Sequence, residues 1–188
     1  MSIKQLIAKS RSYRRFYENQ EIQFEQLKSW INLARLSPSA RNMQSLRYKI
    51  INNKEINQQI FPLLKWAGYL ENWNGPQEGE RPSAYIVVLN DEELSSNYYC
   101  DDGIASQSII LGAVEDGFGA CIIAAIKREE LRNLLQIPEK YKIIHLIALG
   151  KPKENIIIEE VSNNDIKYWR DLEENHHVPK RKLEDLII

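Results

Sequence analysis

The sequence predicts one domain that mixes helices and strands, with about four strands and five or more helices, and three observations carry that reading. Ala84 to Leu89 and Ile143 to Leu149 are almost unbroken apolar runs of the length that a strand buried on both faces needs. Phe24, Leu27, Trp30, Ile31 and Ala34 recur at three- and four-residue steps, the period of a helix with one apolar face. The stretch from Asp102 to Asp116 carries small or apolar residues on every side, as a helix buried all round does. A length of 188 residues suits a single domain spanning 1–188.

In chain order, Ser2 is an N-cap for a short helix bearing Ile3, Leu6 and Ile7, and the character then changes abruptly at Arg11-Ser12-Tyr13-Arg14-Arg15-Phe16. A helix from about Gln23 ends at Ser37-Pro38, because the residue before a proline is pushed away from helical geometry. Pro38 to Asn42 is a loop, Leu46 to Ile51 alternates as a strand does, and a helix around Glu55 to Leu64 follows. Trp66 to Pro82 is rich in aromatics and breakers, and two readings stand: a binding segment, or an ordered surface excursion that packs its tryptophans. The helix from Asp102 stops at Gly117-Phe118-Gly119, and Ala120 to Ile126 is apolar. Arg128 to Leu135 is a short helix with one charged face, and Gly150-Lys151-Pro152 closes the strand that begins at Ile143. Within one small domain, the helix from Asp102 must be central or lie in a subunit interface, where a charge placed at Ile109 would split the subunits or unfold them.

Composition narrows the function. With 43% hydrophobic and 27% charged residues the chain is of the soluble globular type, and 25 basic against 26 acidic side chains argue against a nucleic-acid or membrane-surface partner. No run of ~18 apolar residues exists to span a membrane. The amphipathic, soon highly charged start from Met1 to Arg15 lacks the apolar stretch of a signal peptide, so a cytoplasmic location is expected. Cys100 and Cys121 are far apart and read as two small buried apolar residues. His145 sits in an apolar strand and His176-His177 diverge if extended, so no metal site is expected. GxSxG, GxGxxG and P-loop patterns are absent. If the chain is an enzyme, a cofactor supplies the reactivity and no catalytic side chain is assigned.

One cluster stands out chemically. Arg11, Ser12, Arg14 and Arg15 place three guanidinium groups and a hydroxyl in five residues, a set suited to phosphate by bidentate, charge-assisted hydrogen bonds. Alone, such a run more often forms a solvated basic turn. Lys180-Arg181 is a second small cluster near the other terminus, and the two gain meaning if the fold joins them.

The ordered set Arg11 to Phe16, Ala34 to Gln44, Gly117 to Cys121, Ile147 to Pro152 and Val178 to Arg181 resembles the FMN-dependent nitroreductase family over almost the whole chain. The resemblance implies an α+β fold, a central mostly antiparallel sheet flanked by helices, in an intimate homodimer with FMN at the interface. It places the FMN phosphate on Arg11, Ser12 and Arg14, with help from Lys180 and Arg181, and counts Tyr13 among the cofactor-binding residues. It brings Pro38, Ser39, Ala40, Asn42 and Gln44 to the same flavin from the partner subunit, and lays Ile122, Ile123 and Ala124 by the ring. The chain departs from the family where Ser10 stands in place of a frequent basic residue, which Arg15 would replace, and where Ser45-Leu46 stand in place of Pro-Trp. Lys65 and Asn72 are the candidates for the flavin's pyrimidine edge.

The implied activity is hydride transfer from NADH or NADPH to FMN N5, followed by ping-pong reduction of a small-molecule acceptor such as a nitroaromatic or a quinone. Two other readings are a specialised dehalogenase or dehydrogenase acting on one metabolite, and a flavin-binding sensor or storage protein without fast turnover.

Overall fold

A computed structural model of the chain describes residues 1–188. The central sheet follows from the two apolar runs. Strand β3 (Ala84–Asp91) is buried at every residue, and β5 (Tyr141–Pro152) lies antiparallel beside it. Alternate residues of β3 supply two separate cores: Ala84, Ile86 and Val88 face one way, Tyr85, Val87 and Leu89 the other. Beyond β3 lies β2 (Leu46–Ile51), and beyond β5 lie β1 (Phe16–Tyr17) and β4 (Gly119–Ile123), all antiparallel to their neighbours.

Helices cover both faces. α2 (Phe24–Leu36) and α4 (Asp101–Glu115) close the first core with Leu27, Trp30, Ile109 and Ala113. α3 (Lys54–Ile60) and α5 (Arg128–Leu135) close the second with Ile60, Leu131 and Leu135. α1 (Ile3–Lys9) begins at Ser2, whose hydroxyl accepts from the Gln5 amide while the Gln5 side chain accepts from the Ser2 amide, a reciprocal capping box. None of the helices is long and apolar enough to cross a membrane.

A bulge between Val88 and Leu89 shifts the β3–β5 register, so Ile144 and His145 both face α4. There His145 Nε2 meets the Ser106 hydroxyl at 2.8 Å and Nδ1 lies 3.8 Å from Asp102, and burial holds the imidazole below its usual pKa.

The structure corrects several expectations. β5 runs through Gly150 to Pro152, since both continue the ladder to β4 and β1. There is also a second sheet that the sequence pattern does not predict: β6 (Ile156–Glu160) pairs parallel with β8 (His176–Lys180), and β7 (Trp169–Arg170) pairs antiparallel with β8. Cys121 is buried but Cys100, at the N-cap of α4, is exposed. α4 is not buried all round within the single chain. Ile109 is fully enclosed, so a charge there would disrupt the chain's own core, whereas Ile104 and Gln107 face outward. Segment 66–82 packs its aromatics: Trp66 is buried 5.9 Å from the Phe61 ring, and Arg170 lies 4.4 Å over Trp73.

Candidate functional site

The basic run is held against the sheet by two glycines that face each other across the β4–β5 ladder. A Cβ on Gly119 would lie 2.6 Å from the Tyr13 ring, and one on Gly150 would lie 2.8 Å from Phe16, so only glycine lets residues 13–16 lie this close. The turn is pinned from below by buried Glu154, whose Oε1 accepts from the amides of Arg14 and Arg15 and whose Oε2 accepts from Arg170 at 3.0 Å.

This placement makes a cavity of about 480 Å³ between the basic run, β4, α4 and β8. Arg11, Arg14 and Lys180 bring three cations to its wall, Ser10, Ser12 and Gln107 add polar groups, Ile122 adds an apolar one, and no carboxylate lines it. The volume falls within the ~300–1,000 Å³ usual for small-molecule and cofactor sites. Arg11 and Arg14 from one end of the chain and Lys180 from the other therefore share one cavity, because the β6–β8 pairing returns the C-terminal strand to the start of the sheet.

The cations differ in how they are held. Arg11 Nη2 donates to Ile7 O at 3.1 Å, the last turn of α1, while its Nε is buried without a partner. Arg14 Nη1 donates to Ser12 O at 3.1 Å and meets His176 Nε2 at 3.1 Å, and the guanidinium lies 4.5 Å over the Tyr168 ring. Arg15 does not replace the basic residue missing at Ser10. It grips buried Glu80 through two hydrogen bonds of 2.8 and 2.7 Å and also meets Glu174, so it serves the fold and leaves the cavity.

Other expected residues lie elsewhere. Tyr13 rests on Gly119 and donates its hydroxyl to Lys9 O, and burial raises its phenol pKa. Ile123 is buried in the second core, Ala124 is exposed beside the cavity strand, and Arg181 turns outward toward Asn164. Lys65 and Asn72 do not line the cavity. His176 and Tyr168 do line it, and neither was singled out from the sequence. The alternation of an extended His-His pair was the available signal for His176: one ring is buried, while the other bridges Glu159 and Asp171.

The loop from Pro38 to Gln44 forms a second, smaller site. Arg41, Asn42 and Gln44 all have positive φ, a strained conformation for residues with side chains. Buried Asp101 at the start of α4 holds it: its carboxylate accepts from the Ser39 hydroxyl at 2.7 Å and the Ala40 amide at 2.9 Å, and Ser39 Oγ accepts from the Gln44 amide. Pro38, Ser39 and Gln44 line a cavity of about 170 Å³ that shares no lining residue with the larger one, while Ala40 and Asn42 line neither.

The nitroreductase family model matches residues 7–151, the stretch that carries the sheet, α2 to α5 and the basic run. A protein of Archaeoglobus fulgidus provisionally named NADH dehydrogenase/NAD(P)H nitroreductase is 30% identical over 148 residues, covering 74% of this chain and 80% of that protein. Among solved structures, a nitroreductase family protein from Clostridium novyi NT superposes with a TM-score of 0.68 at 25% identity, covering 81% of this chain and 88% of that one. An FMN-dependent nitroreductase from Clostridium difficile R20291 has the same fold, with a TM-score of 0.66 at 23% identity over 86% of this chain and 92% of that one.

Proposed function

The chain belongs to the nitroreductase family, and on that premise we propose that it is an FMN-dependent oxidoreductase that draws on NADH or NADPH and reduces a small-molecule acceptor of the nitroaromatic or quinone kind. The observation that carries this reading is the cavity in which Arg11, Arg14 and Lys180 converge with no carboxylate on the wall. Three cations with no carboxylate among them suit an anionic group such as a phosphate monoester. Arg11 Nε is a buried donor left without a partner, and guanidinium donors pair with phosphate oxygens bidentately. Ser12 adds a hydroxyl, and Ile122, 44% exposed on β4, offers the apolar surface an aromatic ring system requires.

Held by Arg11, Arg14 and Lys180, FMN would supply the hydride-accepting and electron-donating chemistry that no side chain here provides. The chain's own residues bind and orient. Arg11, Arg14 and Lys180 would anchor the phosphate end, and Ile122 on β4 would offer its apolar side chain to the ring. A second copy of the chain completes the site. Within one protomer the loop at Ser39 and Gln44 borders its own cavity, while Ile104 on α4 and Leu36 at the end of α2 remain 36% and 65% exposed. Rapid anaerobic mixing of the flavin-loaded protein with NADH and with NADPH tests the activity. Bleaching of the flavin by one of them within a turnover is expected, and bleaching by dithionite alone would leave a flavin-binding protein without reductase activity.

A further inference from the structure

We infer that His176 is a neutral hydrogen-bond donor to the phosphate end of the bound cofactor and, through its other nitrogen, the residue that aims Arg14 at it. The inference rests on the reading that the cation-lined cavity receives FMN, and it concerns a residue outside the basic motifs.

The tautomer follows from the partner. A guanidinium carries donors only, so at the 3.1 Å contact with Arg14 Nη1 the His176 Nε2 must present its lone pair. The proton of the neutral ring is then on Nδ1. That Nδ1 is buried and has no partner in the chain, and the residue is 0% exposed and lines the cavity. A buried N–H without an acceptor is costly, and an anion seated among these cations would supply one.

The surroundings keep the ring neutral and fixed. Burial first, then the charges of Arg14, Arg170 and His177, push its pKa down to about 4, while Glu154 stands behind on the Arg14 amide and Arg170. The Tyr168 ring lies 5.3 Å from His176 and 4.5 Å from the Arg14 guanidinium, and Tyr69 lies 5.1 Å beyond Tyr168. Arg14 is thus held by Ser12 O, by the Tyr168 face and by His176 Nε2, which leaves its other donors for a ligand. His176 is also tied by its own amide to Asn155 O at 2.8 Å, so the ring's approach is set by the β8 backbone.

Two isosteres separate its two nitrogens. His176→Gln places an amide oxygen near Nε2 and can still accept from Arg14, but loses the Nδ1 donor; His176→Asn keeps a donor near Nδ1 and loses the acceptor. Apoprotein is titrated with FMN and with riboflavin, which lacks the phosphate. The wild type is expected to prefer FMN, and His176→Gln to lose about tenfold or more of that preference with riboflavin binding unchanged, as for a lost hydrogen bond to a charged group. His176→Asn should retain more of the preference than His176→Gln. A His176→Gln protein with the wild-type FMN-to-riboflavin ratio would overturn the proposal. A wild type without preference for FMN would overturn the cavity reading beneath it, which distinguishes the two failures. Should the variants misfold, imidazole nitrogen NMR of the wild type decides. A proton on Nδ1 at neutral pH, with a resonance that moves on adding FMN but not riboflavin, is expected; a proton on Nε2, or no response to FMN, would refute it.

Discussion

Replacing Glu80 by Gln should destabilise the protein substantially at neutral pH and much less in acid. Glu80 is 4% exposed and receives Arg15 through two hydrogen bonds and Lys153 at 2.9 Å, while its carbonyl accepts from the Phe16 amide. It therefore ties the end of the 66–82 segment to β1 and to the chain leaving β5. Removing one partner of a fully buried ion pair costs about 3–5 kcal/mol, but Arg15 and Lys153 keep 18% and 37% of their side-chain exposure, and that screening brings the expected loss to about 2–3 kcal/mol. For a chain of this size that is a fall of about 4–12 °C in Tm. The pH dependence gives the sharper test. The Arg15 hydrogen bonds first, then Lys153, hold the Glu80 carboxyl near a pKa of about 2, below its ordinary 4.5. A depressed carboxyl pKa stabilises the folded state fully above about 4.5, and the contribution is lost as pH falls toward 2. Urea unfolding of both proteins between pH 7 and pH 3 should show the gap closing below pH 4.5. A gap under about 1 kcal/mol at pH 7, or one that stays constant through the acid range, would refute the reasoning.

Arg14→Ala should weaken FMN binding by roughly ten- to over a hundredfold while the protein stays folded, measured by fluorescence titration alongside circular dichroism; undiminished binding would place the phosphate elsewhere. Of the two thiols, Cys100 should react with a thiol reagent in the native protein and Cys121, buried and pushed up to about 11, only after unfolding; two rapid equivalents would contradict the placement of Cys121. Ile104→Glu on the outer face of α4 should dissociate a homodimer without unfolding the protomer, whereas Ile109→Glu should unfold it, and a monomeric wild type by sedimentation would contradict the shared site.

Much of this was legible in residue patterns. Strand β2, helix α5 and the bounds of α2 follow from period-2 and period-3.6 alternation, and the Ser2 cap from its position before Ile3. The second sheet was not legible because β7 is two residues long and β8 carries polar residues, so neither has the apolar signal of a buried strand. Arg15 and Arg14 are adjacent and chemically alike, yet one turns to Glu80 and the other to the cavity; the difference lies in partners 65 and 162 residues away, which spacing does not reveal. His176 depends in the same way on β8 pairing with β6 and returning to the basic run.

Arg11, Arg14 and Lys180 are proposed as the phosphate site for FMN. The most direct measurement is to denature the purified protein, or the protein after loading with a mixture of flavins, and identify by chromatography what it releases. FMN in clear excess over FAD and riboflavin is predicted. A colourless protein that takes up no FMN, or one that holds riboflavin equally well, would contradict it.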